Sequence, residues 1–221
     1  MSLVLGFGAR LAWAQVVARS PIGALPSGWV CLPSEGIDTW AVTLHDSVSG
    51  ACLSMEAAWP TVVSPVPAVG AEVGEAKGIR YHLKYGAAWR CKGKKAVSFS
   101  FFPPDKQQPP LIWHFSADLC LPEQEPRIRE LLLREATIGI LPAEQEQRSS
   151  KRVARSDVQA LVPGASISAV VAKLGVPGDS SCGSRGFEIT YAVAKGNSYR
   201  EWDLRFDSQQ RFVSAKQRFP D

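Results

Sequence analysis

Ile79-Arg80-Tyr81-His82-Leu83-Lys84-Tyr85 can bury only one of its two sides. In an extended chain Ile79, Tyr81, Leu83 and Tyr85 share one face and Arg80, His82 and Lys84 the other, because successive strand side chains alternate. Trp40, Val42 and Leu44 alternate in the same way with Ala41, Thr43 and His45. Ala96 to Phe101 does so again before Pro103-Pro104, and Leu111-Ile112-Trp113-His114-Phe115 follows a Gln-Gln-Pro-Pro loop. These segments predict a β-rich region over residues 15–142. The run Pro60 to Pro67 is excluded from any central strand, since proline lacks the amide that a ladder needs. Pro126 opens a helix near 126–138, with Ile128, Leu131, Leu132 and Leu133 as its apolar face. The helical pattern stops at Pro142. Residues 143–155 (Glu144, Glu146, Arg148, Lys151, Arg152, Arg155) read as a charged linker; they lack the interleaved aromatics of a nucleic-acid surface.

Thirteen of the 16 prolines occur by residue 142, so residues 156–221 differ in texture and are read as a second domain. Ser156 to Leu161 forms a short helix that Val162-Pro163-Gly164 ends. Ser166 caps a second, Ile167 to Leu174, which Gly175 and Pro177 terminate. After a Gly/Ser loop, Phe187–Tyr191, Trp202–Phe206 and Phe212–Lys216 read as three strands, with a turn at Asp207-Ser208. The fold class expected is therefore α+β: a β-rich N-terminal region plus a C-terminal two-helix, three-strand antiparallel module.

Leu161, Gly164, Ser166, Val170, Leu174-Gly175, Pro177, Tyr191, Phe206-Asp207 and Val213 together resemble the pattern of the BamE-like domain of bacterial envelope proteins. A similar unit occurs in tandem in secreted β-lactamase-inhibitor proteins. The resemblance covers about 65 residues and implies an envelope-associated or inhibitor-like role exercised by protein–protein contact. Two departures count against an outer-membrane assembly role. No lipidation cysteine lies near Ala14, and residue 169 is Ala169, where the family often has an acid or Gln.

The N-terminus carries part of an export signal. Leu3 to Phe7 is apolar and Ala12-Trp13-Ala14 has a small-x-small cleavage form, so residues 1–14 are read as a partial signal peptide, although Arg10 interrupts it. The other reading is an ordinary first strand or helix. No stretch approaches the length of a membrane span. Five cysteines at 31, 52, 91, 120 and 182 contain no CxxC, which argues against structural zinc and thioredoxin-like chemistry. In an oxidising compartment they predict two disulfides, read as Cys31 with Cys52 and Cys91 with Cys120. In a reducing one they are small buried residues.

Little in the sequence points to catalysis. His45, His82 and His114 each fall opposite their strand's apolar residues and are expected to face solvent. Gly178-Asp179-Ser180 is read as a loop, and no phosphate-binding glycine pattern occurs. Net charge is +4, spread over both halves, and selects no polyanionic partner. Tyr199, Arg200 and Arg205 are the candidate contact residues, being of types enriched at interface hot spots, while Trp202 is expected in the core. The reading is a periplasmic or secreted, non-catalytic protein that binds another protein, without cofactor, metal, nucleic acid or membrane span. The alternatives are a hydrolase with its site in the N-terminal region, and a cytoplasmic protein with reduced cysteines.

Overall fold

A computed structural model describes residues 25–34, 41–58, 66–102, 112–135, 153–183, 186–196 and 198–219. The partial signal at 1–14, Trp40, Leu111, the end of the predicted helix and most of the 143–155 linker lie outside them.

Seven strands form the first sheet: β1 (Trp29–Ser34), β2 (Ala41–Asp46), β3 (Cys52–Ala58), β4 (Glu72–Ala76), β5 (Ile79–Ala87), β6 (Lys95–Phe102) and β7 (Ile112–Leu119). Their order is β1-β2-β3-β7-β6-β5-β4, and every pairing is antiparallel. One face collects Leu44, Leu53, Met55, Leu83, Phe99 and Phe115 into a core. Helix α1 (Gln124–Glu130), which runs into a π-helical turn at Leu131–Glu135, covers that core with Ile128, Leu131 and Leu132.

Two short helices follow, α2 (Arg155–Gln159) and α3 (Ile167–Leu174), and then β8 (Asp179–Gly183), β9 (Gly186–Lys195), β10 (Ser198–Phe206) and β11 (Phe212–Gln217). These four strands make a second antiparallel sheet in the order β11-β10-β9-β8. Its core of Phe187, Ile189, Tyr191, Leu204 and Phe206 takes in Val170 and Leu174 from α3. It also takes in Val30 and Leu32 from the reverse face of β1. β1 is therefore buried on both sides, and its sequence is an unbroken apolar run rather than an alternation.

The two sheets are tied by chemistry as well as packing. A Cys52–Cys182 disulfide joins β3 to β8 across a Cα–Cα distance of 5.7 Å. The Thr43 hydroxyl donates to the Ser180 carbonyl at 3.0 Å, and the Ser180 hydroxyl donates to the Leu32 carbonyl at 3.2 Å. Gln210 donates from its amide nitrogen to the carbonyls of Gly28 and His45 at 2.9 and 3.0 Å.

Several expectations are corrected. The α+β class does not hold: among the described residues 54% are strand and 16% helical, in two antiparallel sheets. The C-terminal sheet has four strands rather than three, because residues 179–183, read as loop, form β8. That strand has no apolar alternation to betray it; it is held by pairing with β9 and by the anchors at Ser180 and Cys182. The Cys31–Cys52 bridge is replaced by Cys52–Cys182. Cys31 points into the first core, whereas Cys52 has the opposite parity to the core residues Leu53 and Met55 and so faces the second sheet. His45 and His82 do lie opposite their apolar neighbours, but both are buried rather than facing solvent. For His45 the reason is the second sheet, whose Phe187 ring sits 5.3 Å away.

Candidate functional site

The β5–β6 ladder ends at the pair Ala87 and Lys95, and residues 88–94 close the hairpin. Inside this end Ala88 N–H donates to the Lys94 carbonyl and Lys94 N–H to that of Cys91, both at 3.0 Å. Gly93 supplies the positive φ of +77° that the turn needs. Two further restraints pin the end to the neighbouring strand. Asp118, on the reverse face of β7, accepts from the backbone amides of Trp89 at 3.0 Å and Arg90 at 2.8 Å. A Cys91–Cys120 disulfide, with Cα atoms 5.5 Å apart, adds a covalent clamp. This second predicted pairing is the one the structure contains.

Pinned in this way, the side chain of Trp89 is 93% exposed. Leu121, next to the clamped Cys120, is 48% exposed. Lys92, Lys94 and Lys95 are exposed in the same turn and at its end, and the Lys95 ammonium lies 5.7 Å from the Tyr85 ring centre. Arg90 is half-buried and sits 3.9 Å from Asp118. Single exposed apolar residues are ordinary on protein surfaces. A tryptophan held on a cross-linked turn within a run of cations is of the residue type most enriched among interface hot spots. The rigid backbone also reduces the ordering entropy a partner would have to offset.

The residues singled out in the sequence do not form one surface. Tyr199, 47% exposed, and Arg205 share the outer face of β10, while Arg200 has the parity of the inward Trp202. That outer face is a closed ionic network rather than an open aromatic patch. Arg218 donates to Asp203 at 3.0 Å, to Glu201 at 3.1 Å and to the Thr190 hydroxyl at 3.0 Å. The motif residues have structural duties. Ser166 accepts from the Ala169 amide at 3.3 Å, capping α3. Gly164 donates its amide to the Phe212 carbonyl at 2.8 Å, and Leu174 and Pro177 are buried. Gly175 has a φ of +92°, and its carbonyl receives the Tyr191 hydroxyl at 2.7 Å. Asp207 accepts from the amides of Gln209 and Arg211 at 2.9 Å, shaping the β10–β11 turn. Trp202 is half-buried against the second core, with the Arg155 guanidinium 5.8 Å above its ring.

A polar row crosses the reverse face of the first sheet. Register places His82 beside Ser100, Ser100 beside His114 and His114 beside Glu56. The Ser100 hydroxyl lies 3.1 Å from His114 Nδ1. Burial pushes the His114 imidazole below its ordinary range, against the opposing pull of Glu56, and keeps it neutral at pH 7. Ser100 is nonetheless paired on both sides within the ladder. Its own amide therefore serves the sheet and does not join the pair of amides that stabilises a substrate oxyanion in acyl transfer. No group of three or more His, Cys, Asp or Glu side chains among the described residues is placed to hold a metal ion. No helix among them is long and apolar enough to cross a membrane.

The chain matches no known protein family, no curated protein and no solved structure. Its function is therefore argued from its own geometry. Sequence reasoning missed Trp89, although the signal was there: Trp89-Arg90-Cys91-Lys92-Gly93-Lys94-Lys95 sets an aromatic and a cysteine in a basic turn between two alternating segments.

Proposed function

We propose that this chain is an exported, periplasmic or secreted, non-catalytic protein that acts by binding another protein through the hairpin end around Trp89. The observation that carries this reading is the conjunction at that end: a side chain 93% exposed on a backbone fixed by Asp118 and the Cys91–Cys120 clamp. Two cysteine pairs at bridging distance fit an oxidising compartment. The likeness of residues 156–221 to BamE-like envelope domains points the same way. The test is photo-crosslinking in the native host with a benzophenone amino acid in place of Trp89. The expected result is a discrete protein adduct from position 89 and none from the same probe at Lys216 on the second sheet. Adducts from neither position, or equally from both, would contradict the reading.

The Ser100, His114 and Glu56 row supports a second reading, hydrolysis in the N-terminal region. A fluorophosphonate adduct on Ser100 that disappears in a His114→Ala variant would favour it over the first.

A further inference from the structure

We infer that the Trp89 hairpin end takes an acidic, extended segment of its partner protein, with Trp89 and Leu121 as the apolar anchor and the turn lysines Lys92, Lys94 and Lys95 as the charged flank. The inference rests on the binding role proposed above and specifies what that surface recognises. Between Lys84 and Lys95 the chain has five cations and no acid: Lys84, Arg90, Lys92, Lys94 and Lys95. Asp118, which holds the turn, is already committed to two backbone amides and to Arg90. Among the described residues only Lys95 has a carboxylate close by, Glu125, so the turn is locally cationic and complementary charge on a partner would speed encounter and fix its orientation.

The shape of the charged zone argues for a narrow ligand. Glu123 is exposed two residues beyond Leu121. Glu125 lies close enough to Lys95 for that ammonium to help hold its carboxyl below the usual range, after the hydrogen bond from Tyr85. A broad anionic sheet such as a lipid surface, lowered onto Trp89 and Leu121, would meet these carboxylates as well as the lysines. A single acidic strand can lie along the lysine flank alone. Trp89 and Leu121 then cover apolar side chains of that strand and exclude water from the neighbouring ion pairs, the arrangement that makes interfacial charges effective.

The experiment uses the full, disulfide-intact chain and a fluorescein-labelled peptide of alternating Glu and Asp with one central Phe, followed by anisotropy. Binding should weaken as ionic strength rises from about 0.05 to about 0.5 M, where screening shortens to a few ångströms. Combined Lys92→Glu, Lys94→Glu and Lys95→Glu should lower affinity at least about tenfold, and Trp89→Ala by about tenfold, in keeping with hot-spot truncations. Because these side chains are exposed, an unchanged unfolding midpoint in each variant separates lost binding from lost fold. No binding to the peptide, or equal binding by the charge-reversed variant, overturns the inference. Co-sedimentation with phosphatidylglycerol vesicles that the same substitutions abolish, without peptide binding, overturns it in favour of a lipid surface. Crosslinks from position 89 to a protein without an acidic stretch would sink this inference alone, whereas the absence of any such crosslink would sink the binding role itself.

Discussion

His45 makes the stability of the fold depend on pH, and the structure fixes the sign and size of the effect. Its side chain is 1% exposed between the two sheets, and its Nδ1 has no hydrogen-bond partner among the described residues. Burial lowers its pKa from 6.5 to about 4, against the opposing charges of Asp46 and Asp207. The unfolded chain therefore takes up a proton as pH falls through 6.5, while the folded chain resists until about 4. Stability from this residue is complete above the upper value and drains away between the two. At about 1.4 kcal/mol per tenfold change in proton affinity, the interval from 6.5 to about 4 is worth about 3 kcal/mol. Burial also lowers His82 and His114, so the wild-type slope is a sum with the same sign. His45→Leu, which keeps an apolar side chain against Phe187, removes one share of it. Urea unfolding followed by tryptophan fluorescence under non-reducing conditions, from about pH 7.5 to about pH 4, should show the variant losing about 3 kcal/mol less than wild type. Identical pH profiles for the two proteins would refute the reasoning.

The two disulfides should differ in what they contribute. Cys52–Cys182 closes a loop of 130 residues and Cys91–Cys120 one of 29. Chain entropy then gives about 5 and about 3.5 kcal/mol, so paired Cys→Ala variants should rank in that order by urea midpoint. Arg127 donates to the buried Asp46 carboxylate at 3.0 and 3.2 Å. Burial pushes that carboxyl up, yet these bonds and those from Ser49 and Val48 hold it below its usual range. Arg127→Ala should cost about 3 kcal/mol by leaving a buried charge unpaired, and adding Asp46→Asn should recover part of that loss. Gly175→Ala, at a φ of +92°, should lower stability by about 1 kcal/mol or more, measured by the same unfolding curves.

Where one face of an element is buried and the other is not, the sequence could be read. β5 and β6 announce themselves by alternation, and α3 was bounded correctly at Ile167 and Leu174 because Ser166 and Gly175 punctuate it. β3 carried the same signal in Leu53, Met55 and Ala57 against Ser54 and Glu56 but was passed over. The failures have physical causes. β1 is buried on both faces, so Trp29-Val30-Cys31-Leu32 shows no period. β8, Asp-Ser-Ser-Cys-Gly, has no apolar face at all and owes its place to hydrogen bonds from distant residues. That is why the fourth strand of the second sheet, the burial of His45 and the Cys52–Cys182 bridge were missed together: each depends on the long-range packing of the second sheet on the first. For the candidate site, the Cys91–Cys120 pairing was legible from sequence. The basic turn around Trp89 was legible too, whereas the exposure of its side chain shows only once the hairpin end is placed on Asp118.

Disulfide mapping on protein recovered from its native host tests the central claim most directly, since the proposed contact surface and the proposed export both require oxidised cysteines. Non-reducing peptide mass spectrometry after alkylation in denaturant should find Cys52 linked to Cys182, Cys91 linked to Cys120, and only Cys31 alkylated. Five alkylated cysteines, or Cys91 and Cys120 joined to other partners, would contradict it.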